Sequence, residues 1–187
     1  MKRAPACGWG RWVLVFLLAG APTLWSRRAR AQSRDERAVR AAYVFNLIRY
    51  VEWPSPDGEL TIAFVGNPAT GEVMKKMLSG KTSDARTIRV VLSPSEEELQ
   101  KCSVLYVAEL QAGDFRKALD KVRDRNILTV GETDSFVRGG GMIGLVNTGD
   151  HIQIEANPEA AQRVGVRISS RVLNLALIVH SAQKGAS

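Results

Sequence analysis

One predicted strand-to-helix junction has the glycine spacing of a phosphate-binding loop. The segment is Val65-Gly66-Asn67-Pro68-Ala69-Thr70-Gly71. Glu72 and Val73 stand where such a loop needs a lysine and a hydroxyl residue, so we exclude nucleotide hydrolysis. A helix N-terminus at the carboxyl end of a strand can still hold an anion or a small ligand. A turn that binds nothing is the favoured interpretation, and in the alternative Gly66 and Asn67 are the candidate binding residues.

A second glycine-rich segment matches a dinucleotide-binding pattern only as text. Gly139-Gly140-Gly141-Met142-Ile143-Gly144 fits G-x-G-x-x-G. That fingerprint must open a helix, whereas these glycines lead into a predicted strand, so we exclude dinucleotide binding. Glycines let the backbone approach a ligand or another segment closely. Arg138, Gly140 and Gly141 are therefore candidate contact residues.

The remaining polar residues do not assemble a reaction centre. His151 and Glu155 would share one face of a strand, but two ligands do not complete a metal site. Ser169 and Ser170 lack the flanking glycines of a nucleophile elbow. The sequence therefore predicts a protein that is not an enzyme and that uses no metal and no cofactor.

Strand and helix patterns alternate through the middle of the chain and predict an α/β domain. The predicted strands cover residues 60–65, 87–92, 104–107 and 127–130. The predicted helices between them cover 70–78 and 114–123, and a third begins at Ser93-Pro94-x-Glu96. Strands separated by such helices form right-handed crossovers, which give a mostly parallel sheet with helices on both faces.

A long aromatic helix precedes the sheet. A capping-box pattern at Ser33 and Glu36 predicts a helix over 34–52, which Trp53-Pro54 ends because the residue before proline avoids the helical region. Val39 is the first residue of its predicted buried stripe. Its aromatic residues either pack the core or contact a partner, and the candidates are Tyr43, Tyr50 and Trp53.

A hairpin and two helices are predicted at the carboxyl terminus. Residues 142–146 and 151–155 flank a turn rich in residues that tolerate positive φ, which indicates a β-hairpin. Asn157-Pro158 caps a short helix that ends near residue 163. The last predicted helix covers 169–182, and its nearly continuous apolar surface predicts either burial or contact with a partner.

The first 31 residues have the three parts of a cleavable secretory signal peptide. Lys2, Arg3 and Arg11 are basic, an apolar run over 12–19 follows, and Ala29-Arg30-Ala31 supplies a cleavage site. No arginine pair precedes the run, which favours Sec-type export out of the cytoplasm. The run is shorter than the roughly 20 residues of a membrane-spanning helix, so a membrane anchor is the less favoured alternative.

The net positive charge of the chain comes from this predicted signal peptide. The net charge is +7, but residues 1–31 hold six basic residues and no acidic one, which leaves 20 basic against 19 acidic residues in 32–187. The nearly neutral charge of residues 32–187 therefore does not favour binding to nucleic acid. Residues 32–187 suit a single domain, in which the one cysteine, Cys102, is expected to be a small buried residue.

Several segments resemble the YfiR family of periplasmic proteins. The resemblance covers about residues 40–180, and the motifs occur in the family's order. They are Ala42-Tyr43-Val44-Phe45-Asn46-Leu47-Ile48-Arg49-Tyr50-Val51-Glu52-Trp53-Pro54, Gly140-Gly141-Met142-Ile143-Gly144, Ile154-Glu155-Ala156-Asn157 and Val166-Arg167-Ile168-Ser169-Ser170-Arg171-Val172-Leu173.

The resemblance implies a non-catalytic regulator that restrains a membrane-bound diguanylate cyclase by binding its periplasmic sensor region. Release, aided by an outer-membrane-associated protein, would raise cyclic-di-GMP and favour biofilm growth. Studied members carry cysteine pairs that form disulfides, whereas residues 32–187 contain only Cys102, so redox control is not implied here.

The candidate partner or ligand contacts combine the residues of these patterns. They are Tyr43, Tyr50, Trp53, Gly66, Asn67, Arg138, Gly140, Gly141, Ser169 and Ser170. The expected partner is the periplasmic region of an inner-membrane protein, with a second copy of the chain as a further candidate. The alternative function is a periplasmic small-ligand binding protein that uses the carboxyl edge of the sheet.

The signal-peptide hypothesis predicts the first residue of the exported protein. Protein recovered from the periplasm should begin at or near Gln32, which N-terminal sequencing or intact mass would establish. A chain that retains residues 12–25 and sediments with membranes would instead show that the leader is an anchor.

Overall fold

The computed structural model describes residues 21–54, 58–110, 112–149 and 151–181. The chain divides between Glu36 and Arg37 into two compact units. The described part of the first unit is the amino-terminal portion of helix α1 (Ala21–Ile48). The apolar run of the predicted signal peptide lies outside the described residues. No helix within the described ranges has the length and apolar character to cross a membrane.

The second unit contains one large sheet and one small ribbon. The strands of the large sheet are β2 (Leu60–Gly66), β3 (Thr82–Ser83), β4 (Arg86–Leu92), β5 (Val104–Ala108), β6 (Leu128–Gly131), β7 (Ile143–Thr148), β8 (His151–Ala156) and β10 (Leu177–Ile178). The ribbon pairs β1 (Val51–Glu52) antiparallel with β9 (Arg167–Ile168). The remaining helices are α2 (Pro68–Leu78), α3 (Glu96–Lys101), α4 (Ala112–Lys121), α5 (Pro158–Arg163) and α6 (Ser170–Leu173).

The large sheet is mostly parallel, as predicted. Its strand order is β10-β8-β7-β6-β5-β2-β4-β3. The five strands from β4 to β7 in that order are mutually parallel, whereas β8 runs antiparallel to β7 as the second strand of the predicted hairpin. From β2 the chain passes first to β4 on one side and then to β5 on the other. The α/β fold class is confirmed.

Helices cover both faces of this sheet. Alternate residues of the buried strands enter two separate cores, so that Ile62 lies in one and Ala63 in the other. The first core takes apolar residues from α1, α2, α5 and α6, and its Phe64 and Tyr106 rings stack with centroids 5.5 Å apart. The second takes them from α3 and α4, and there Phe115 packs against Phe136.

The first predicted helix is wrong at both ends. Helix α1 begins before Ser33, which therefore lies inside it and is not its cap, and it ends at Ile48. Val39, predicted to be buried, is 46% exposed. The buried face instead carries residues spaced by three and four positions, namely Ala41, Val44, Leu47 and Ile48. Residues Val51–Glu52 become extended because they pair with β9.

The predicted helix over 169–182 is also wrong. Helix α6 ends at Leu173, and Leu177–Ile178 form an outer strand parallel to β8. These residues form a strand because the edge of β8 is free to pair with them. Just after them, the amide of Val179 donates to the carbonyl of Ala156 at 2.8 Å. Leu175 is 73% exposed, so this apolar segment is not buried as a whole.

The cap of α3 lies two residues later than predicted. Ser95 caps the helix and forms a reciprocal capping box with Glu98. Ser93 takes a φ of 50° and belongs to the turn that follows β4. The short helix that begins after Asn157 matches its prediction, and its Pro158–Arg163 span is confirmed.

Cys102 is buried, as predicted, at the carboxyl end of α3. Only 5% of its surface is exposed, and its Sγ lies 3.2 Å from the carbonyl oxygen of Leu99. Burial raises the pKa of the thiol to about 12, because the thiolate loses its hydration. The thiol therefore stays protonated and behaves as an apolar residue.

We predict that Cys102 reacts with a thiol reagent only after unfolding. Raising the pKa from 9.0 to about 12 lowers the thiolate fraction at pH 8 by about a thousandfold. Labelling with a disulfide-forming chromogenic reagent should therefore be very slow in native protein and fast in denaturant. Rapid native labelling, assigned to Cys102 by peptide mass, would contradict the buried environment.

Candidate functional site

The predicted contact residues lie at opposite edges of the parallel sheet. Gly66 and Asn67 follow β2 at the carboxyl edge, where the parallel strands end. Arg138, Gly140 and Gly141 precede β7 at the amino edge, where the strands begin. The structure therefore does not bring these two candidate groups together.

At the carboxyl edge, Gly66 and Asn67 make contacts within the chain. The Asn67 side chain accepts from the amide of Ala69 at 2.9 Å, which caps α2, and its Nδ2 donates to Glu109 Oε2 at 2.7 Å. Gly66 has a φ of +121°, and a Cβ placed there would lie 1.9 Å from the carbonyl oxygen of Ala108. Only glycine fits this approach between β2 and β5.

A buried polar group near the same edge was not recognised in the sequence. Tyr106 Oη donates to Glu132 Oε1 at 2.6 Å, and Arg40 Nε lies 3.8 Å from the same oxygen. All three side chains are buried. Burial and the adjacent carboxylate raise the pKa of Tyr106 well above its ordinary value, so the phenol remains a donor. No local pattern shows this cluster, because its members come from α1, β5 and the turn after β6.

The amino edge contains a cleft of about 720 Å³ lined by four arginines. Helix α4 contributes Arg116, and Arg123 follows just beyond the end of that helix. Arg138 comes from the turn before β7, and Arg163 is the last residue of α5. Of these four, the sequence interpretation included only Arg138. Arg116 and Arg123 are seven residues apart, about two helical turns, which places them on one face of the helix predicted over 114–123. That spacing was the signal available in the sequence.

The three glycines beside the cleft have different roles. A Cβ on Gly141 would lie 2.2 Å from the Phe136 ring, and one on Gly139 would lie 2.7 Å from the Phe115 ring. These two glycines therefore make room for the second core. Gly140 has a φ of +109° and open space at the Cβ position, and it lines the cleft.

Two of the four arginines are held by neighbouring groups. Arg123 pairs with Asp120 at 2.5 Å, and Arg138 donates to the carbonyl of Asp134 at 3.3 Å. The nearby Glu155 is buried, which raises its pKa, and the Arg138 charge opposes that shift. Arg116 and Arg163 make no ion pair within the described ranges.

The candidate aromatic residues differ in their surroundings. Trp53 is half-buried, donates from Nε1 to the Ser103 carbonyl at 3.3 Å and has the Arg86 guanidinium 4.7 Å above its ring. Tyr43 is half-buried against the first core. Tyr50 is 38% exposed, with the Arg171 guanidinium 5.8 Å from its ring centroid.

The β1–β9 ribbon brings Tyr50 together with the two candidate serines. The Ser169 amide donates to the Tyr50 carbonyl at 2.9 Å, and the Ser169 hydroxyl accepts from the amide of Arg171. Ser170 is exposed at the start of α6. We call Tyr50, Ser169, Ser170 and Arg171 the ribbon surface.

The segment that follows α5 connects the ribbon to the cleft. Val164 lines the cleft, and its carbonyl accepts from Asn126 Nδ2. A Cβ on the next residue, Gly165, would lie 3.2 Å from Cγ of Pro54, which follows Trp53. The ribbon surface and the cleft therefore flank one short segment, whereas Gly66 and Asn67 lie at the other edge.

Across the described residues, no group of three or more His, Cys, Asp or Glu side chains is placed to hold a metal ion.

A comparison with known protein families finds a match to most of the chain. The model of a family described as YfiR/HmsC-like matches residues 37–177. The match begins at the first residue of the second compact unit and includes every candidate contact residue. No curated protein sequence matches the chain.

We predict that Trp53 and Tyr50 differ in their contribution to stability. Trp53→Ala removes core packing, a hydrogen bond and the Arg86 contact, so the free energy of unfolding should fall by about 3 kcal/mol. Tyr50→Ala should cost less than about 1 kcal/mol, because the ring is partly exposed. Denaturant titration followed by circular dichroism measures both, with Trp53→Phe as the control that retains a ring. Equal losses for the two alanine variants would refute the distinction.

Proposed function

The chain belongs to the YfiR/HmsC-like family, and from that premise we propose that it restrains an inner-membrane diguanylate cyclase by binding the enzyme's periplasmic region. The match over residues 37–177 is the observation that carries the proposal. The family consists of periplasmic regulators, which gives the chain a regulatory role. Binding to the cyclase would lower cyclic-di-GMP, and release would raise it.

We assign the cyclase contact to the ribbon surface. It presents an exposed tyrosine beside an exposed arginine, and these residue types are enriched among the side chains that dominate binding energy at interfaces. The surface rests on backbone pairing between β1 and β9, so its residues are held by the fold. Trp53 and Tyr43 are half-buried and pack against the first core, so we do not include them in this surface.

Export by a Sec-type signal peptide is part of the same proposal. A periplasmic partner requires that the folded unit reach that compartment, and the basic, apolar and small-residue regions of 1–31 have the order of a cleavable leader. An outer-membrane-associated protein that aids release and a second copy of the chain are further proposed partners.

The alternative function, small-ligand binding at the carboxyl edge, has less support. Asn67 uses both polar atoms of its side chain in contacts within the chain, and the position of Gly66 is explained by its approach to Ala108. Both residues therefore have structural roles that require no ligand.

The cyclase proposal predicts specific capture and inhibition. The immobilised protein should retain a diguanylate cyclase from detergent-solubilised inner membranes, and adding the protein to the reconstituted cyclase should lower cyclic-di-GMP synthesis. Tyr50→Ala and Arg171→Gln should each weaken binding at least tenfold, because truncating an interface anchor typically costs about 2 kcal/mol or more, and about 1.4 kcal/mol already corresponds to a factor of ten.

A matched control uses an exposed arginine that is not part of the ribbon surface, Arg125→Gln, which should bind as the unmodified chain does. If no cyclase is retained and a small molecule co-purifies instead, the alternative function replaces the regulator. If Tyr50→Ala and Arg171→Gln bind normally, the contact lies elsewhere on the chain.

A further inference from the structure

The arginine cleft at the amino edge concentrates positive charge in a chain whose charges otherwise nearly balance. Its lining includes four arginines and two aspartates, Asp120 and Asp124. Residues 32–187 together carry 20 basic against 19 acidic residues, so the excess of two positive charges in the cleft is local. Such a local excess attracts anions, since charges within a concave site reinforce one another.

The cleft combines this charge with apolar walls. Its lining also includes four apolar residues, namely Leu119, Val122, Met142 and Val164. Its volume of about 720 Å³ falls in the range of sites that enclose one small molecule. A site with apolar walls and a few charged groups fits a ligand that has an anionic group on an apolar body.

The arginines divide into two that are held and two that are available. Arg123 and Arg138 are positioned by Asp120 and by the Asp134 carbonyl. Arg116 and Arg163 have no ion-pair partner among the described residues, and they approach the cleft from α4 and from α5. A guanidinium donates two parallel hydrogen bonds to a carboxylate or a phosphate, so these two arginines can bind one anionic group from two sides.

We propose that this cleft binds a small organic anion, through a carboxylate or a phosphate that Arg116 and Arg163 contact while the apolar part of the ligand lies against Val122 and Met142. Gly140 borders the site and leaves space for the ligand, because nothing lies within 4 Å of where its Cβ would be. This site is independent of the cyclase proposal, because none of its residues belongs to the ribbon surface.

The test is a titration of the purified full chain, without any membrane protein, followed by two-dimensional amide NMR. Benzoate and phenyl phosphate are the probes for the two anionic groups, and benzyl alcohol is the uncharged analogue. Inorganic phosphate tests the anion without an apolar body. We expect saturable shifts at Gly140 and in the last turn of α5 with at least one aromatic anion, and much weaker binding of benzyl alcohol and of inorganic phosphate.

Three variants make the result specific. Arg116→Gln and Arg163→Gln should each raise the dissociation constant about tenfold, because each removes a charge-assisted contact. Arg125→Gln removes the same charge from an exposed residue that does not line the cleft. It should leave the constant within about twofold, because no contact with the bound anion is lost. Circular dichroism should show all three folded.

The outcomes separate clearly. Preference for benzoate or for phenyl phosphate identifies the anionic group. Absence of saturable binding by both anions, equal binding of benzyl alcohol, or equal losses in Arg125→Gln and the two cleft variants would each overturn the proposal. Failure of cyclase capture has no bearing on this titration, so the two proposals can fail separately.

Discussion

Strand β2 is the constraint on which the arrangement of the rest depends. It pairs with β4 on one side and β5 on the other through five residues each, from Leu60 to Gly66. Most of its residues are fully buried, so a register shift of one residue would exchange the two cores. Since β5, β6 and β7 add outward from β2 in parallel, its position fixes which loops meet at each edge of the sheet.

That constraint explains which candidate residues meet. A residue that follows a parallel strand lies at the carboxyl edge of the sheet, and a residue that precedes a parallel strand lies at the amino edge. Gly66 and Asn67 therefore cannot share a site with Arg138 and Gly140. The topology instead joins the turn before β7 with the carboxyl ends of α4 and α5, and this junction creates the arginine cleft.

The sequence predicts well what periodicity and local turn chemistry determine. Apolar runs located the strands β2, β4, β5 and β6 to within about two residues, and Asn157-Pro158 located α5. The pattern failed for residues 169–182, because Leu177 and Ile178 pair with the free edge of β8, 22 residues earlier in the chain. A helical pattern does not show such pairing. Likewise, no local pattern predicts that Arg116 and Arg163 line one cleft, since each looks like an ordinary exposed arginine on its own helix.

Two polar contacts fix the segment that leads from α1 to the ribbon. At its start, Arg40 lies beside Glu132 at the carboxyl edge, and at its end, Trp53 donates to Ser103 at the amino edge. The segment therefore runs across one face of the sheet, and Ala41, Val44 and Ile48 bury its apolar side along the way. If α1 slid along the strands, Arg40 and Glu132 would be separated and each charge would be buried without its partner. That arrangement is costly, so the pair opposes such a movement. Tyr50 is consequently placed by contacts at both edges, and a binding surface held in this way loses little conformational entropy when a partner docks.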